Sequence, residues 1–361
     1  TGDTYSPLPI ETDITRLERY ALMQGKDFLR VEPNITRNDR TLTLDIEYKL
    51  SNGPRVFVER IDIKGNATTL DKVIRRQFNV VEGDPFNPRE IRQSAERIKA
   101  LGYFSQSKVE PREGSSPDQV IIDVSVVEKP TGSLGFGGTY ASTTGLGAEI
   151  TFEEANFLGR GQALGLAIST AATNKKLEFS FREPAFLGRD LSAGIGLSYV
   201  SYTPDDVSFQ SNKTSFSPSI GFPLTEYSAL NLSYNLSTSN VATGLTTSAY
   251  VSGVIKDEVA KGDVLNSSIG YTYTYDNRRK GLNTNSGALF QLGQEIGGFG
   301  GDNSFVKTNF KIIGQTTVMA EEVTLSATLE GGTLSYMKGS SRVNDRFSLG
   351  SNVMRGFDAN G

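Results

Sequence analysis

The sequence has no cysteine, no histidine and no tryptophan, and the first two gaps exclude specific chemistry. Without cysteine there are no disulfides and no thiolate nucleophiles, a composition that suits an oxidising periplasm. Without histidine, Ser-His and Cys-His nucleophile pairs cannot be assembled from these residues, and a metal site would need carboxylates alone. Long apolar runs are missing too. No stretch approaches the roughly 18 uninterrupted apolar residues of a spanning helix, so a membrane reading has to rest on a closed barrel of strands. The chain begins with neither methionine nor a charged-then-apolar leader, so it is expected to be a mature or trimmed product. A net charge of −4 without a long basic run gives no reason to expect a nucleic-acid partner.

What is present changes character near residue 130. Residues 1–130 hold 41 of the 78 charged residues and only 7 of the 38 glycines. Residues 131–361 carry the other 37 charges and 31 glycines, with abundant Ser, Thr, Tyr and Phe. Charge density halves while glycine rises, which implies two physical environments, the second built of strands and turns.

Residues 54–129 read as strand, helix, helix, strand, strand. Val56, Val58, Ile61 and Ile63 mark an extended segment ending at Gly65-Asn66. A helix is expected over "TLDKVIRRQF", and a second opens with Asn87 as N-cap and Pro88 in its first turn, placing Ile91, Ala95, Ile98 and Leu101 on one face before Gly102 ends it. The last strand, "QVIIDVSVVEK", turns Val120, Ile122, Val124 and Val126 one way. Residues 10–51 echo the second half of this unit, with Ile14 matching Ile91, Gly25 matching Gly102, "VEP" at 31 matching "VEP" at 109, and Ile46 matching Val124. Tandem modules leave this trace, the first copy lacking its opening strand and helix.

From residue 131 onward, segments of about ten residues alternate with period two between turn residues, the pattern of an outer-membrane barrel. In "GLGAEITFE", Leu146, Ala148, Ile150 and Phe152 face out while Glu149 and Thr151 face in; in "KKLEFSFRE", Leu177, Phe179 and Phe181 oppose Glu178, Ser180 and Arg182. Tyr271, Tyr273 and Tyr275 share an outward face. About eleven such segments are expected, with "EANFLGRG" and "EPAFLGRD" as equivalent turns at one end and 237–263 as a long connection at the other. A soluble β-sandwich is the alternative, but its core strands would lack lipid-facing aromatics of this kind.

A βααββ repeat leading into "TGSLGFGGTY", then "NFLGRG", and finally "VMRGFDANG" at 353–361 resembles the BamA family of outer-membrane barrel-assembly proteins, within the POTRA-plus-barrel superfamily. The resemblance covers essentially the whole chain. It implies an α+β architecture of periplasmic POTRA repeats followed by an antiparallel transmembrane β-barrel. Residues 1–51 would be the C-terminal part of one POTRA domain, 52–129 the complete last one, and 130–361 the first part of the barrel, about eleven of roughly sixteen strands, ending in an extracellular loop. It also implies a central role in folding and inserting barrel proteins, with unfolded outer-membrane proteins, accessory lipoproteins and outer-membrane lipids as partners and no cofactor. Two relatives compete with this reading: a two-partner secretion transporter exporting one dedicated substrate, and the assembly factor TamA. The number of repeats before residue 1 would separate them.

Three sets of residues are candidate sites. The first expected barrel strand carries Gly132, Leu134, Gly135, Phe136, Gly137, Gly138 and Tyr140. Its glycines leave it poor in packing side chains and therefore weak, so its edge is where an incoming strand could pair by β-augmentation. The other reading of the same glycines is accommodation of barrel curvature. From the resemblance, Arg355, Gly356 and Phe357 belong to a loop that folds back into the lumen, and Arg75 and Glu82 match contact positions for a lipoprotein partner. Read alone, Arg75 and Glu82 are ordinary charges around a short helix, and Arg355 is a solvated loop residue. No enzymatic site is expected: Glu153-Glu154 and Glu321-Glu322 point to opposite faces of a strand, and Gly135, Gly137 and Gly138 form no dinucleotide fingerprint.

Overall fold

A computed structural model of the chain describes residues 7–24, 29–53, 55–141, 145–171, 174–203, 209–225, 227–243, 253–278, 286–318, 323–342 and 345–347. The chain divides into two compact units, Thr1–Thr131 and Gly132–Gly361, the boundary falling where the composition changes.

Unit 1 contains α1 (Pro7–Met23), β1 (Leu29–Asn38), β2 (Thr43–Asn52), β3 (Phe57–Lys64), α2 (Asp71–Arg75), α3 (Pro88–Ala100), β4 (Phe104–Glu113) and β5 (Gln119–Glu128). The last five elements form the expected βααββ module. Its sheet runs β3-β5-β4, with β3 parallel and β4 antiparallel to β5. Helix α2 is shorter than "TLDKVIRRQF" suggests, because Leu70 enters in an extended conformation and contributes no side-chain cap. Helix α3 starts as expected: the Asn87 side chain accepts from the Arg89 amide at 3.0 Å, and Pro88 fills the position that needs no donor. Its buried face is Ile91, Ser94 and Ile98, with Ala95 half-buried. Ser94 is tolerated there because its hydroxyl donates back to the Glu90 carbonyl at 2.8 Å. The core joins these residues to Val58, Ile61, Val73, Ile74, Ile122 and Val124.

One carboxylate stitches this module together. Glu128, at the end of β5, accepts from the amides of Thr68 (2.9 Å) and Thr69 (2.6 Å), which precede α2. Burial pushes the Glu128 carboxyl up, but the hydrogen bonds from Thr69 and Thr68 outweigh it and hold its pKa below the ordinary carboxylate value. A pKa depressed by folding contributes stability that is present above the unfolded-state pKa and is lost as pH falls through the folded value. Amide-exchange protection at Thr68 and Thr69 is therefore expected to weaken on acidification below about pH 4. In Glu128→Gln, which lacks the titrating group, exchange corrected for intrinsic rate should show no such step.

The earlier half-repeat follows the same order. Helix α1 packs Ile10 and Ile14 against Val31, and β1 pairs with β2 in an isolated antiparallel hairpin. Ile14 is as buried as its counterpart Ile91.

The described residues of unit 2 form one antiparallel sheet of eleven strands: β6 (Gly132–Ala141), β7 (Gly145–Phe157), β8 (Gln162–Ala171), β9 (Asn174–Glu183), β10 (Ser192–Tyr202), β11 (Phe209–Pro223), β12 (Ser228–Thr243), β13 (Val264–Asp276), β14 (Gly287–Gly297), β15 (Ser304–Val318) and β16 (Val323–Lys338). Each strand pairs with its sequence neighbours, and the registers align two unlike faces. One carries Phe152 beside Leu166, Phe179, Leu197 and Phe216 in successive strands, and further along Leu230 beside Tyr273, Leu292 and Phe310. The other presents Thr151, Gly165, Ser180, Gly196 and Ser217, with charges at Glu149, Lys176, Glu178, Lys311 and Glu330. Charge in mid-strand is confined to this polar face. A sheet with one apolar and one polar, charged face is what lipid on one side and a wet lumen on the other select.

The two echoed turns adopt one geometry. Leu158 and Leu187 take left-handed φ values of 54° and 55°, followed by Gly159 at 69° and Gly188 at 71°. Glu154 and Glu183 each accept from the amide two residues on, at 2.8 and 2.9 Å. The long connection is shorter than expected, since β12 runs on to Thr243, and it contains a helix the sequence reading missed, α4 (Gly253–Ala260). It stands apart, because 142–144 and 172–173, at the same end of the sheet, are shorter than 184–191 and 277–286 at the other.

Candidate functional site

Strand β6 lies at one end of the sheet order and pairs only with β7 among the described residues, which leaves its outer row of backbone groups without a strand partner. Its register sorts the predicted residues between the faces. Leu134, Phe136 and Tyr140 project to the apolar side opposite Phe152, Ile150 and Leu146. At 58%, 74% and 81% exposed they are among the most exposed large apolar side chains of the unit.

The four glycines do not act alike. Gly135 and Gly137 fall on the polar face, Gly132 and Gly138 on the other. A Cβ at Gly135 would stand 2.5 Å from the Thr151 hydroxyl, and one at Gly132 would stand 2.7 Å from a Glu154 carboxylate oxygen. At Gly137 the nearest atom would be Glu149 Cβ at 3.9 Å, and at Gly138 nothing lies within 4 Å. Two glycines therefore admit β7 side chains, while the other two simply leave backbone uncovered. With four glycines in ten residues, the strand's hold on β7 comes mostly from their hydrogen-bond ladder and little from side-chain packing.

Arg75 and Glu82 are brought together. Arg75 Nη1 lies 3.0 Å from Glu82 Oε1 and Nη2 lies 3.2 Å from Asp71. The same two side chains close the edge of β3: the Ile61 amide donates to Glu82 Oε1 at 3.2 Å, and Arg75 Nη2 donates to the Ile61 carbonyl at 3.1 Å. Beside them, Val58 exchanges hydrogen bonds with Gly83 and Asp84. The pair thus occupies a sheet edge with side-chain groups, and both remain about half exposed. Arg355, Gly356 and Phe357, with Glu321 and Glu322, lie outside the described residues. The chain after β16 nonetheless turns onto the polar face before it reaches them. The Phe347 ring lies where a Cβ on Gly332 would be, and Lys307 Nζ stands 5.0 Å from that ring's centroid. Tyr336 donates to Asp345 at 2.8 Å. Sequence reasoning missed these contacts because neither Asp345 nor Phe347 belongs to a periodic pattern.

Among the described residues no cluster of three or more acidic groups could hold a metal ion. The arrangement offers backbone hydrogen-bonding groups and exposed surface.

Comparison with known proteins follows the same division. Residues 156–361 match the family model for the Omp85 superfamily domain, and residues 56–129 match the POTRA model, described as a surface antigen variable number repeat. The chain is 26% identical over 339 residues to the outer membrane protein assembly factor BamA of Neorickettsia risticii, covering 93% of this chain and 44% of that protein. It thus spans less than half the length of that relative. Among solved structures, BamA from Haemophilus ducreyi lacking POTRA domains 1–3 superposes with a TM-score of 0.66 at 18% identity, over 100% of this chain and 71% of that one. CdiB from Acinetobacter baumannii gives 0.57 at 13% identity, over 95% and 64%. At these identities the structural likeness concerns the fold.

Proposed function

The chain belongs to the Omp85 superfamily, as a protein of the outer membrane with its POTRA domain in the periplasm, and from that premise we propose that it assembles other outer-membrane proteins by templating their strands on the edge of β6. The observation that carries this reading is the poverty of packing side chains in β6, where four of ten residues are glycine and Gly137 and Gly138 leave backbone uncovered. In hydrocarbon each unpaired backbone group costs several kcal/mol, so an incoming strand gains by pairing with an existing edge as it enters. The chemistry required is hydrogen bonding alone, so the proposed activity is not enzymatic. In this reading unfolded outer-membrane proteins are the substrates, residues 52–129 form the last POTRA domain, and residues 1–51 belong to the one before.

An accessory lipoprotein is proposed to dock where Arg75 and Glu82 meet. Both charges already have partners, so docking there would work by exchange of ion-pair partners and not by neutralising a free charge.

Export of a single dedicated substrate is the competing activity, and depletion of the protein separates the two. Under the assembly reading, many unrelated barrel proteins fall together in quantitative outer-membrane proteomics. Loss confined to one secreted protein, with the barrel population unchanged, would replace assembly with export.

A further inference from the structure

Strand β16 ends at Lys338, and the next residue turns the chain sharply. Gly339 has φ +87°, and a Cβ there would run into the side-chain oxygen of Asn303, itself held by its amide donating to Asn266 at 3.1 Å. Three residues on, Arg342 is 1% exposed and meets a carboxylate that is 3% exposed. Its Nε donates to Glu258 Oε2 at 2.7 Å, and its Nη1 donates to the Ser239 carbonyl (3.0 Å) and hydroxyl (3.2 Å). Glu258 belongs to α4, in the β12–β13 connection, and Ser239 to the outer end of β12. Beside the buried pair lies a more exposed contact between the same two connections: Lys261 Nζ, on a side chain 37% exposed, stands 3.3 Å from Glu258 and donates to the Ser340 hydroxyl at 2.5 Å. Beyond Arg342, Asp345 and Phe347 return the chain to Tyr336, Lys307 and Gly332 on β15 and β16.

Residues 339–342 and 345–347 therefore touch both β12 and β16, strands four places apart in the sheet. An exposed ion pair would contribute little here. This one is buried, and a buried pair fixes a unique arrangement because removing either partner leaves the other charged and unsolvated. We propose that Arg342 anchors a strut across the polar face, locking the segment after β16 onto helix α4 so that these two connections move as one body. Arg342 acts as a positioning residue. It needs no ligand, and the strut stands or falls independently of strand templating.

Crosslinking in the full-length protein in its membrane, with any cysteine outside these cysteine-free 361 residues replaced, tests the strut. Cysteines at Lys261 and Ser340, joined by a short bismaleimide, report docking, while the heat-sensitive gel mobility of a folded barrel reports integrity. With Arg342 present the pair should crosslink. Arg342→Met should lower the docked-to-undocked ratio on the order of 100-fold at unchanged mobility. Arg342→Lys, which can reach Glu258 but cannot fork to Ser239 as well, should restore it partly. Phe347→Ala, which removes only the far contact, should leave the crosslink intact. Undiminished crosslinking in folded Arg342→Met would overturn the proposal. So would loss of the crosslink in Phe347→Ala equal to that in Arg342→Met. Should Arg342→Met not fold, Arg342→Lys decides, and a yield equal to that of arginine overturns it.

Discussion

Replacing Leu197 with arginine is expected to destabilise unit 2 by about 2–4 kcal/mol, whereas arginine at the next residue, Ser198, should cost far less. Leu197 lies between Phe179 and Phe216 in the middle of the apolar face. Ser198 points to the opposite face, where its hydroxyl meets that of Ser215 at 2.5 Å. An arginine at 197 would bring its charge into hydrocarbon, beyond easy reach of either interface, while at 198 it would enter a polar, charged environment. Urea unfolding in lipid vesicles, read by gel mobility, checks the difference. Equal costs at the two positions would mean that the faces do not have different solvents, and the membrane reading of the sheet would lose its main physical support.

The second large effect lies in unit 1. Gly65 and Gly102 both have left-handed backbones, with φ of 90° and 73°, so alanine at either position costs about 1–2 kcal/mol of strain. Their surroundings differ. Nothing lies within 4 Å of a Cβ at Gly102, but at Gly65 a Cβ would overlap the backbone carbonyl of Val126 on β5. Backbone cannot rotate away as a side chain can, so Gly65→Ala is expected to cost roughly 2–5 kcal/mol and Gly102→Ala only the strain. Hydrogen exchange should show protection lost along β5 in the first variant and only at the end of α3 in the second.

These contrasts indicate what could be read from the sequence. The strands of unit 2 were legible because each face meets one solvent along its length, so "KKLEFSFRE" alternates whatever its neighbours do. Strand ends were less so: β12 continues through Ser239 and Val241 to Thr243 because α4 covers that end, a tertiary effect that a Ser- and Thr-rich stretch does not announce. Helix α4 has only eight residues, too few for an apolar period to stand out. Arg342 was invisible for a related reason, since its partner Glu258 is 84 positions away and a lone arginine after a strand reads as solvated. Arg75 and Glu82 were legible only through family resemblance. Glu82 lies beyond the end of α2 at Arg75, so no helical spacing links the two, and their shared contact at Ile61 arises from the fold. The glycines of β6 were found as a group, but only the register divides them into two that admit β7 side chains and two that leave backbone bare.

Strand templating at β6 is tested most directly by photocrosslinking from Leu134 and Phe136 in the full-length protein, with a barrel substrate stalled during insertion. The expected result is capture of the substrate's terminal strand at both positions, in a register that shifts by two residues as the probe moves by two. The contradicting result is a stalled substrate that crosslinks elsewhere on the protein but at neither position, which would leave the glycines of β6 a role only in curvature and in admitting β7 side chains.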